Sequence, residues 1–205
     1  GLQFTAFARD GISWHHFTKV GGANTPSNAV TNLTQDQLRK IFVTGEINNW
    51  SQVGGTSAPI VVYAAQAGSG TRTTFDGFVG GSSSSQIPAG NQATRVITEN
   101  NAQQIVDNGE AANAIFYESY GRYQQATPGN STGTAGAADS LGSIDGIAVT
   151  STTVGDSTFP FGRSLYNVLR YPSEATKRYL DPVDGFLCRT DIDNVVSSIT
   201  GRKLR

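Results

Sequence analysis

Two short and continuously apolar runs place the strongest constraint on the fold of this chain. Residues 59–64 (PIVVYA) and 114–117 (AIFY) carry no charged residue and are too short to be buried helices. Such runs are typical of parallel strands that are covered on both faces. Because each run lies next to a segment with helical character, the pattern predicts an α/β fold with mostly parallel sheets and flanking helices.

The other segments extend this alternation along the 205 residues. Further strands are predicted at residues 4–17, with a bend at Gly11, and at residues 144–150 and 165–169. A second helix is predicted to begin at Thr71, and helices are also predicted at residues 101–108, 173–179 and 192–199. Residues 80–86 (GGSSSSQ) and 124–140 are predicted loops.

The clearest helix signal follows residue 31. Asn32 or Thr34 can cap the first turn, and apolar side chains then recur at helical spacing. A glycine follows the last apolar residue, where helices often end in a left-handed conformation. The predicted buried face and C-terminal residue are Leu38, Ile41, Phe42 and Gly45.

Composition excludes several classes of function. The net charge is −1 and the chain has no basic stripe, so it is not expected to bind nucleic acid. The longest apolar runs, such as residues 58–65, fall far short of the ~20 residues that a membrane-spanning helix needs. Only 15% of residues are charged, and neutral polar surfaces of this kind are common on secreted proteins. The single Cys188 is either a free thiol or bridged to a partner outside this sequence.

A glycine-rich turn between a strand and a helix is the motif that carries chemistry. In Gly68-Ser69-Gly70-Thr71-Arg72 the glycines allow close backbone approach, and the helix start presents unpaired N–H groups to an anion. The hydroxyls of Ser69 and Thr71 add donors, and Arg72 adds a charged fork suited to phosphate or sulfate oxygens. On its own the motif is also compatible with an ordinary capped helix start. It has neither the spacing of a nucleotide P-loop nor that of a dinucleotide fingerprint.

Other reactive side chains do not form a recognisable catalytic or metal motif. His15 and His16 are adjacent on a predicted strand, so they point to opposite faces, and one is expected to be packed and the other exposed. Asp10 is expected to fix the bend before Gly11. Arg163 is expected to form a surface ion pair, with a position at a ligand cleft as the alternative. No catalytic residue, metal or cofactor is therefore expected.

Four ordered stretches of the chain form a recognisable combination. They are ARDGI at residues 8–12; NLT, Leu38, Ile41, Phe42, Gly45, Ile47 and NW within residues 32–50; IVVY at residues 60–63 running into GSGTR and Phe75; and FP at residues 159–160 with Arg163, Leu165 and Tyr166. Together they resemble the phosphate-binding proteins of bacterial phosphate ABC transporters, which have the type II periplasmic-binding-protein fold. The second and third stretches together are fairly specific, and the resemblance covers most of the chain, although residues 80–142 are only loosely similar.

In that family two α/β lobes close on the anion, and a Ser-Gly-Thr stretch of the second lobe donates backbone and hydroxyl hydrogen bonds. The resemblance implies that Ser69, Gly70 and Thr71 bind the ligand here, with Arg72 as the charge partner. It also implies an extracytoplasmic protein that works with an ABC permease and is not an enzyme. Residues 14–150 would be approximately the second lobe, and residues 1–13 and 151–205 would be hinge strands and a remnant of the first.

Two departures from the family pattern leave a second interpretation open. Many relatives have an arginine shortly before the Gly-Ser-Gly-Thr stretch, where this chain has residues 64–66 (AAQ). The family's first-lobe segment is expected before ARDGI, so one lobe is expected to be complete and the other partial unless a partner chain supplies the missing segment. The leading hypothesis is a binding module for inorganic phosphate or a similar oxyanion. The alternative is a surface interaction or structural domain that has the same fold but has lost ligand binding.

Overall fold

A single long strand organises the structure, a computed structural model that describes residues 1–80 and 95–170. The first half of β1 (Leu2–Val20) pairs antiparallel with β9 (Gly162–Arg170). Its second half pairs antiparallel with β6 (Ala114–Ser119) and β7 (Ala138–Leu141). The strand is continuous through Gly11, so the predicted bend there is wrong. The glycine is needed for space instead, because a Cβ at Gly11 would lie 2.8 Å from Cγ2 of Val154.

The main sheet is mixed rather than mostly parallel. The strand order is β2 (Ala23–Asn24), β1, β6, β4 (Val61–Ala65) and β5 (Arg95–Ile97). β4 runs parallel to both β5 and β6, as the apolar runs predicted. Among the described residues, every antiparallel pairing between two strands involves β1. A second, two-stranded sheet joins β3 (Asn32–Leu33) in parallel to β8 (Ser143–Ile144). The α/β class is confirmed.

Five short helices pack around the sheet. They are α1 (Gln35–Arg39), α2 (Gly70–Phe78), α3 (Gln103–Asp107), α4 (Tyr120–Gln125) and α5 (Ser151–Gly155), all within the described residues. Thr34 caps α1 with a complete capping box, and the chain continues through a π-helical turn, Lys40–Thr44, to Gly45 at φ 73°. Leu38, Ile41 and Phe42 are buried as predicted. None of the helices in the described ranges is long and apolar enough to cross a membrane.

Some sequence predictions differ from the structure or lie outside it. The strand predicted at residues 144–150 is present only as the end of β8, and α4 and α5 were not predicted. The helices predicted at residues 173–179 and 192–199, Cys188 and residues 81–86 of the predicted loop lie outside the described residues. The proposed division into a second lobe and hinge strands stays a prediction.

The part of the core that positions the Gly-Ser-Gly-Thr turn lies where β4 and β6 meet α2. The rings of Phe75 and Tyr117 stack with centroids 4.3 Å apart. Phe42, in the π-helical turn that follows α1, contacts both rings. All three side chains are buried. This packing fixes α2 against the carboxyl end of β4 and therefore fixes the position of the Gly-Ser-Gly-Thr turn.

Candidate anion-binding site

The turn between β4 and α2 has the geometry of a capped helix start. Ser69 is the N-cap of α2, and its hydroxyl accepts the N–H of Arg72 at 3.0 Å. Gly68 has φ 85°, a conformation that allows the chain to turn directly from the strand into the helix. Ser69 and Thr71 are buried. The N–H groups of Gly70 and Thr71 have no partner within the helix, as in the first turn of any α-helix.

A carboxylate of the same chain occupies this helix start. The N–H of Thr71 donates to Oε1 of Glu99 at 3.1 Å. Burial alone would raise the pKa of Glu99, but hydrogen bonds from the Thr71 and Ser69 side chains and the Thr71 backbone, together with the charge of Arg163, hold it below its usual value. The helix start therefore stabilises the ionised form of the Glu99 carboxylate.

The strand arrangement explains why Glu99 reaches the turn. β5 lies beside β4 in parallel, so the segments that follow the two strands meet at the same edge of the sheet. The backbone N–H of Glu99 donates to Oε1 of Gln66 at 2.7 Å, and the Gln66 N–H donates to the Ile97 carbonyl at 2.9 Å. These bonds fix the segment that carries Glu99 against the turn that carries Ser69.

Arg163 supplies the positive charge of the site. Its Nη2 donates to Oγ1 of Thr71 at 3.2 Å and to Oδ2 of Asp10 at 2.9 Å, and its Nε donates to the same Asp10 oxygen at 3.2 Å. Asp10 and Arg163 are register partners on β1 and β9. The second oxygen of Asp10 accepts the Ser119 hydroxyl and the Gly121 N–H, at 3.0 and 3.1 Å. The guanidinium is thus held beside the start of α2.

The side chain of Arg72 does not join this group, which corrects the role predicted for it. Its Nη1 donates to the Ala65 carbonyl at 2.8 Å, and its Nε lies 3.8 Å from Oδ2 of Asp76. The side chain is 9% exposed. No hydrogen bond joins its guanidinium to Ser69, Thr71 or Glu99 in the described structure. We therefore assign the charge of the site to Arg163, while binding by Ser69, Gly70 and Thr71 stays a prediction.

Glu99 was not predicted from the sequence to contact the start of α2, and Asp10 was not predicted to pair with Arg163 there. Arg163 does form the expected ion pair, but its partner is buried and its guanidinium also contacts Thr71. Asp10 anchors that guanidinium rather than fixing a bend. One signal was available for Glu99, because residue 99 follows an apolar stretch at the end of a strand next to β4.

Both histidines are buried, so the expectation that one of them is exposed is wrong. His16 Nδ1 lies 3.0 Å from the Ser27 hydroxyl, and burial, with a contribution from His15, lowers its pKa to about 3. His15 Nε2 lies 3.4 Å from Oδ2 of Asp139. No group of three or more His, Cys, Asp or Glu side chains in the described parts of the chain could hold a metal ion.

A family model and a curated relative both match this chain. Residues 3–181 match the family described as the PBP superfamily domain. A 63-residue stretch, 30% of this chain, is 40% identical to the phosphate-binding protein PstS of Bacillus subtilis, and the match spans only 21% of that relative.

Solved structures resemble the whole chain. A Clostridium perfringens structure, described as a phosphate ABC transporter substrate-binding protein with bound phosphate, is 26% identical with a TM-score of 0.74. An ABC-type phosphate transport receptor from Vibrio cholerae is 24% identical with a TM-score of 0.70, which shows the fold alone. Each comparison covers 100% of this chain and 73% of the other.

Proposed function

The chain belongs to the PBP superfamily domain family, and from this membership we propose that it is an extracytoplasmic module that binds inorganic phosphate or a similar oxyanion and delivers it to an ABC transporter. The similarity to a phosphate transporter's substrate-binding protein with bound phosphate supports the ligand class. The similarity over 63 residues to PstS supports it further. The partner would be an ABC permease, and the module would act by binding rather than by catalysis.

One observation carries the proposal. The start of α2 already holds an oxyanion, the Glu99 carboxylate, through the Thr71 N–H at 3.1 Å. A phosphate in the same place would accept the N–H groups of Gly70 and Thr71 and the hydroxyls of Ser69 and Thr71. The guanidinium of Arg163, which already contacts Thr71, would supply the charge-assisted bonds.

The charge balance requires Glu99 to leave when phosphate binds. With Glu99 in place, the group contains two carboxylates, those of Glu99 and Asp10, and one guanidinium, that of Arg163. A phosphate next to the Glu99 carboxylate would be repelled by about 4 kcal/mol at 4 Å in a medium of effective dielectric constant near 20. Glu99 is therefore a stand-in that competes with the ligand.

The same observation supports a second candidate function, that of a structural or interaction domain that has lost ligand binding. In that case Glu99 would be a permanent cap of α2 that satisfies its donors. The two functions differ in the effect of removing the charge of Glu99. If Glu99 competes with the ligand, removing its charge strengthens phosphate binding. If Glu99 only caps α2, removing its charge does not produce phosphate binding.

Calorimetric titration of phosphate into the wild-type chain and Glu99→Gln separates the two. Glutamine has the same length but no charge, so we expect phosphate to bind at least about tenfold more tightly to Glu99→Gln, which corresponds to about 1.4 kcal/mol. Glu46→Gln, at an exposed position, makes the same change in net charge and should leave the affinity unchanged.

Absence of phosphate binding in both proteins would favour the structural domain. Weaker binding to Glu99→Gln than to wild type would show that Glu99 takes part in binding the ligand instead of competing with it.

A further inference from the structure

Arg122 is a cation that has no role in the function proposed above. It is the third residue of α4, and its side chain is exposed. Its Nη1 donates to Oε1 of Gln125, a neutral amide oxygen, at 3.1 Å. None of the ion pairs among the described residues involves Arg122. The guanidinium can therefore turn to a ligand without breaking an ion pair in this part of the chain.

Ser119 places Arg122 next to the anion site. Ser119 is the N-cap of α4, and its hydroxyl accepts the N–H of Arg122 at 3.3 Å. The same hydroxyl donates to Oδ1 of Asp10 at 3.0 Å, and the N–H of Ser119 donates to Oδ1 of Asn100 at 3.1 Å. Two hydrogen bonds from a single residue therefore join the start of α4 to Asp10 and to the segment that carries Glu99.

These bonds complete a ring of contacts that begins and ends at the start of α2. Asp10 accepts hydrogen bonds from Arg163, and Arg163 donates to Thr71. Thr71 in turn donates to Glu99, whose neighbour in the chain is Asn100. The starts of α2 and α4 belong to the same ring because β4 and β6 are parallel neighbours, so that both helices begin at the same edge of the sheet.

Two cavities connect the side chain of Arg122 with this ring. A cavity of about 450 Å³ has both Arg122 and Glu99 in its wall. A second cavity, of about 230 Å³, has Arg122, Asp10 and Arg163 in its wall. Open space therefore extends from the Arg122 side chain both to the carboxylate that a ligand would replace and to the guanidinium that would hold the ligand.

The charge balance of the ring indicates a need for a second cation when phosphate binds. Asp10 and Arg163 form an ion pair, so their charges largely cancel. A phosphate group carries a charge of about −1.5 to −2 at neutral pH, and the departure of Glu99 removes only one negative charge. The start of α2 adds about half a positive charge. Arg163 alone would leave the ligand incompletely neutralised.

We propose that Arg122 is a second phosphate-binding arginine, whose guanidinium turns from Gln125 to the ligand when phosphate replaces Glu99 at the start of α2. This inference rests on the proposed function and adds a residue to its site. The guanidinium of Arg163 is shared with Asp10, whereas that of Arg122 pairs with no described carboxylate. Its planar fork can donate two charge-assisted hydrogen bonds to phosphate oxygens.

Calorimetric titration of the full chain with inorganic phosphate tests the proposal. We expect Arg122→Gln to bind phosphate at least tenfold less tightly than wild type. Arg122→Lys keeps the charge but loses the planar fork, so it should recover only part of that loss. Arg39→Gln, at an exposed position, makes the same change in net charge and should bind phosphate within twofold of wild type.

The side-chain resonances of the wild-type chain separate direct contact from a general effect of charge. In the ¹⁵N-labelled protein, saturating phosphate should shift the Nε–H resonance of Arg122 and leave that of Arg39 in place. This measurement needs no substitution, so it tests Arg122 even if Arg122→Gln does not fold.

The outcomes distinguish the two proposals. Phosphate affinity of Arg122→Gln within twofold of wild type, or equal losses in Arg122→Gln and Arg39→Gln, overturns the assignment of Arg122 while the phosphate site stands. An Arg122 Nε–H resonance that does not move at saturation overturns it in the same way. If phosphate binds neither to wild type nor to Glu99→Gln, the proposed function fails and the assignment of Arg122 fails with it.

Discussion

Replacing Arg163 by alanine removes the guanidinium that joins β9 to the start of α2. In the structure this group makes two hydrogen bonds to Oδ2 of Asp10, at 2.9 and 3.2 Å, one to Oγ1 of Thr71 at 3.2 Å and one to Oγ1 of Thr74 at 3.5 Å. The side chain of Asp10 is only 5% exposed, and that of Arg163 is 21% exposed. The substitution leaves a buried carboxylate that has lost its counter-charge.

The magnitude follows from the burial of the pair. Removing one partner of a fully buried ion pair typically costs about 3–5 kcal/mol. Asp10 keeps two donors, the Ser119 hydroxyl and the Gly121 N–H, and Arg163 is partly solvated, so both factors reduce the loss. We expect Arg163→Ala to lower the free energy of unfolding by about 2–3 kcal/mol.

Urea unfolding of a double-mutant cycle measures this loss and identifies its source. In Asp10→Asn the carboxylate is already absent, so adding Arg163→Ala should cost about 1–2 kcal/mol less than it does in wild type. Arg39→Ala, which removes an exposed arginine, is the control and should stay within about 0.5 kcal/mol of wild type. Additive effects of the two substitutions would refute the reasoning that the ion pair, rather than the bulk of Arg163, fixes this part of the structure.

Three further predictions test other parts of the account. Arg72→Ala should lower the free energy of unfolding in urea by about 2 kcal/mol, because its guanidinium is buried and bound to the Ala65 carbonyl. Calorimetry should find its phosphate affinity within twofold of wild type, and a tenfold loss would show that Arg72 contributes to phosphate binding. Gly142→Ala should lower the free energy of unfolding by more than about 3 kcal/mol in the same assay, because the new Cβ would lie 1.9 Å from Cζ2 of Trp14. Gly77→Ala in α2 has open space around the new Cβ and should raise the free energy of unfolding by about 0.5–1 kcal/mol. Similar effects at both positions would contradict this packing. His16 has a folded-state pKa of about 3, below its unfolded value, so the unfolded chain binds the proton first as the pH falls. The free energy of unfolding should therefore decrease as the pH drops from about 6.5 toward 3, by up to about 1.4 kcal/mol per pH unit. Urea unfolding of His16→Gln over this range should show a shallower decrease, and an unchanged slope would contradict the assignment.

Local signals predicted the parts of the fold that depend on neighbouring residues. The apolar run before Gly68 and the hydroxyl of Ser69 were enough to predict a strand, a turn and a capped helix. The cap at Thr34 and the left-handed Gly45 were predictable for the same reason, since capping is decided within one turn of helix.

The composition of the site could not be predicted in the same way, because its members meet only through tertiary structure. Glu99 lies 28 residues from Thr71, and Arg163 lies 153 residues from Asp10. The Asp10–Arg163 contact depends on the antiparallel register of β1 and β9, which no local pattern specifies. Arg72 was misjudged because the sequence places its backbone at the helix start but does not determine which way its side chain points.

The central claim is that the start of α2 is the oxyanion site and that Glu99 occupies it until a ligand arrives. Titration of the ¹⁵N-labelled chain with inorganic phosphate, followed through the backbone amide resonances, tests this most directly. We expect the amides of Gly70 and Thr71 to show the largest shifts, and Glu99→Gln to reach saturation at a lower phosphate concentration than wild type. Phosphate binding that leaves the Gly70 and Thr71 amides unshifted would contradict the claim.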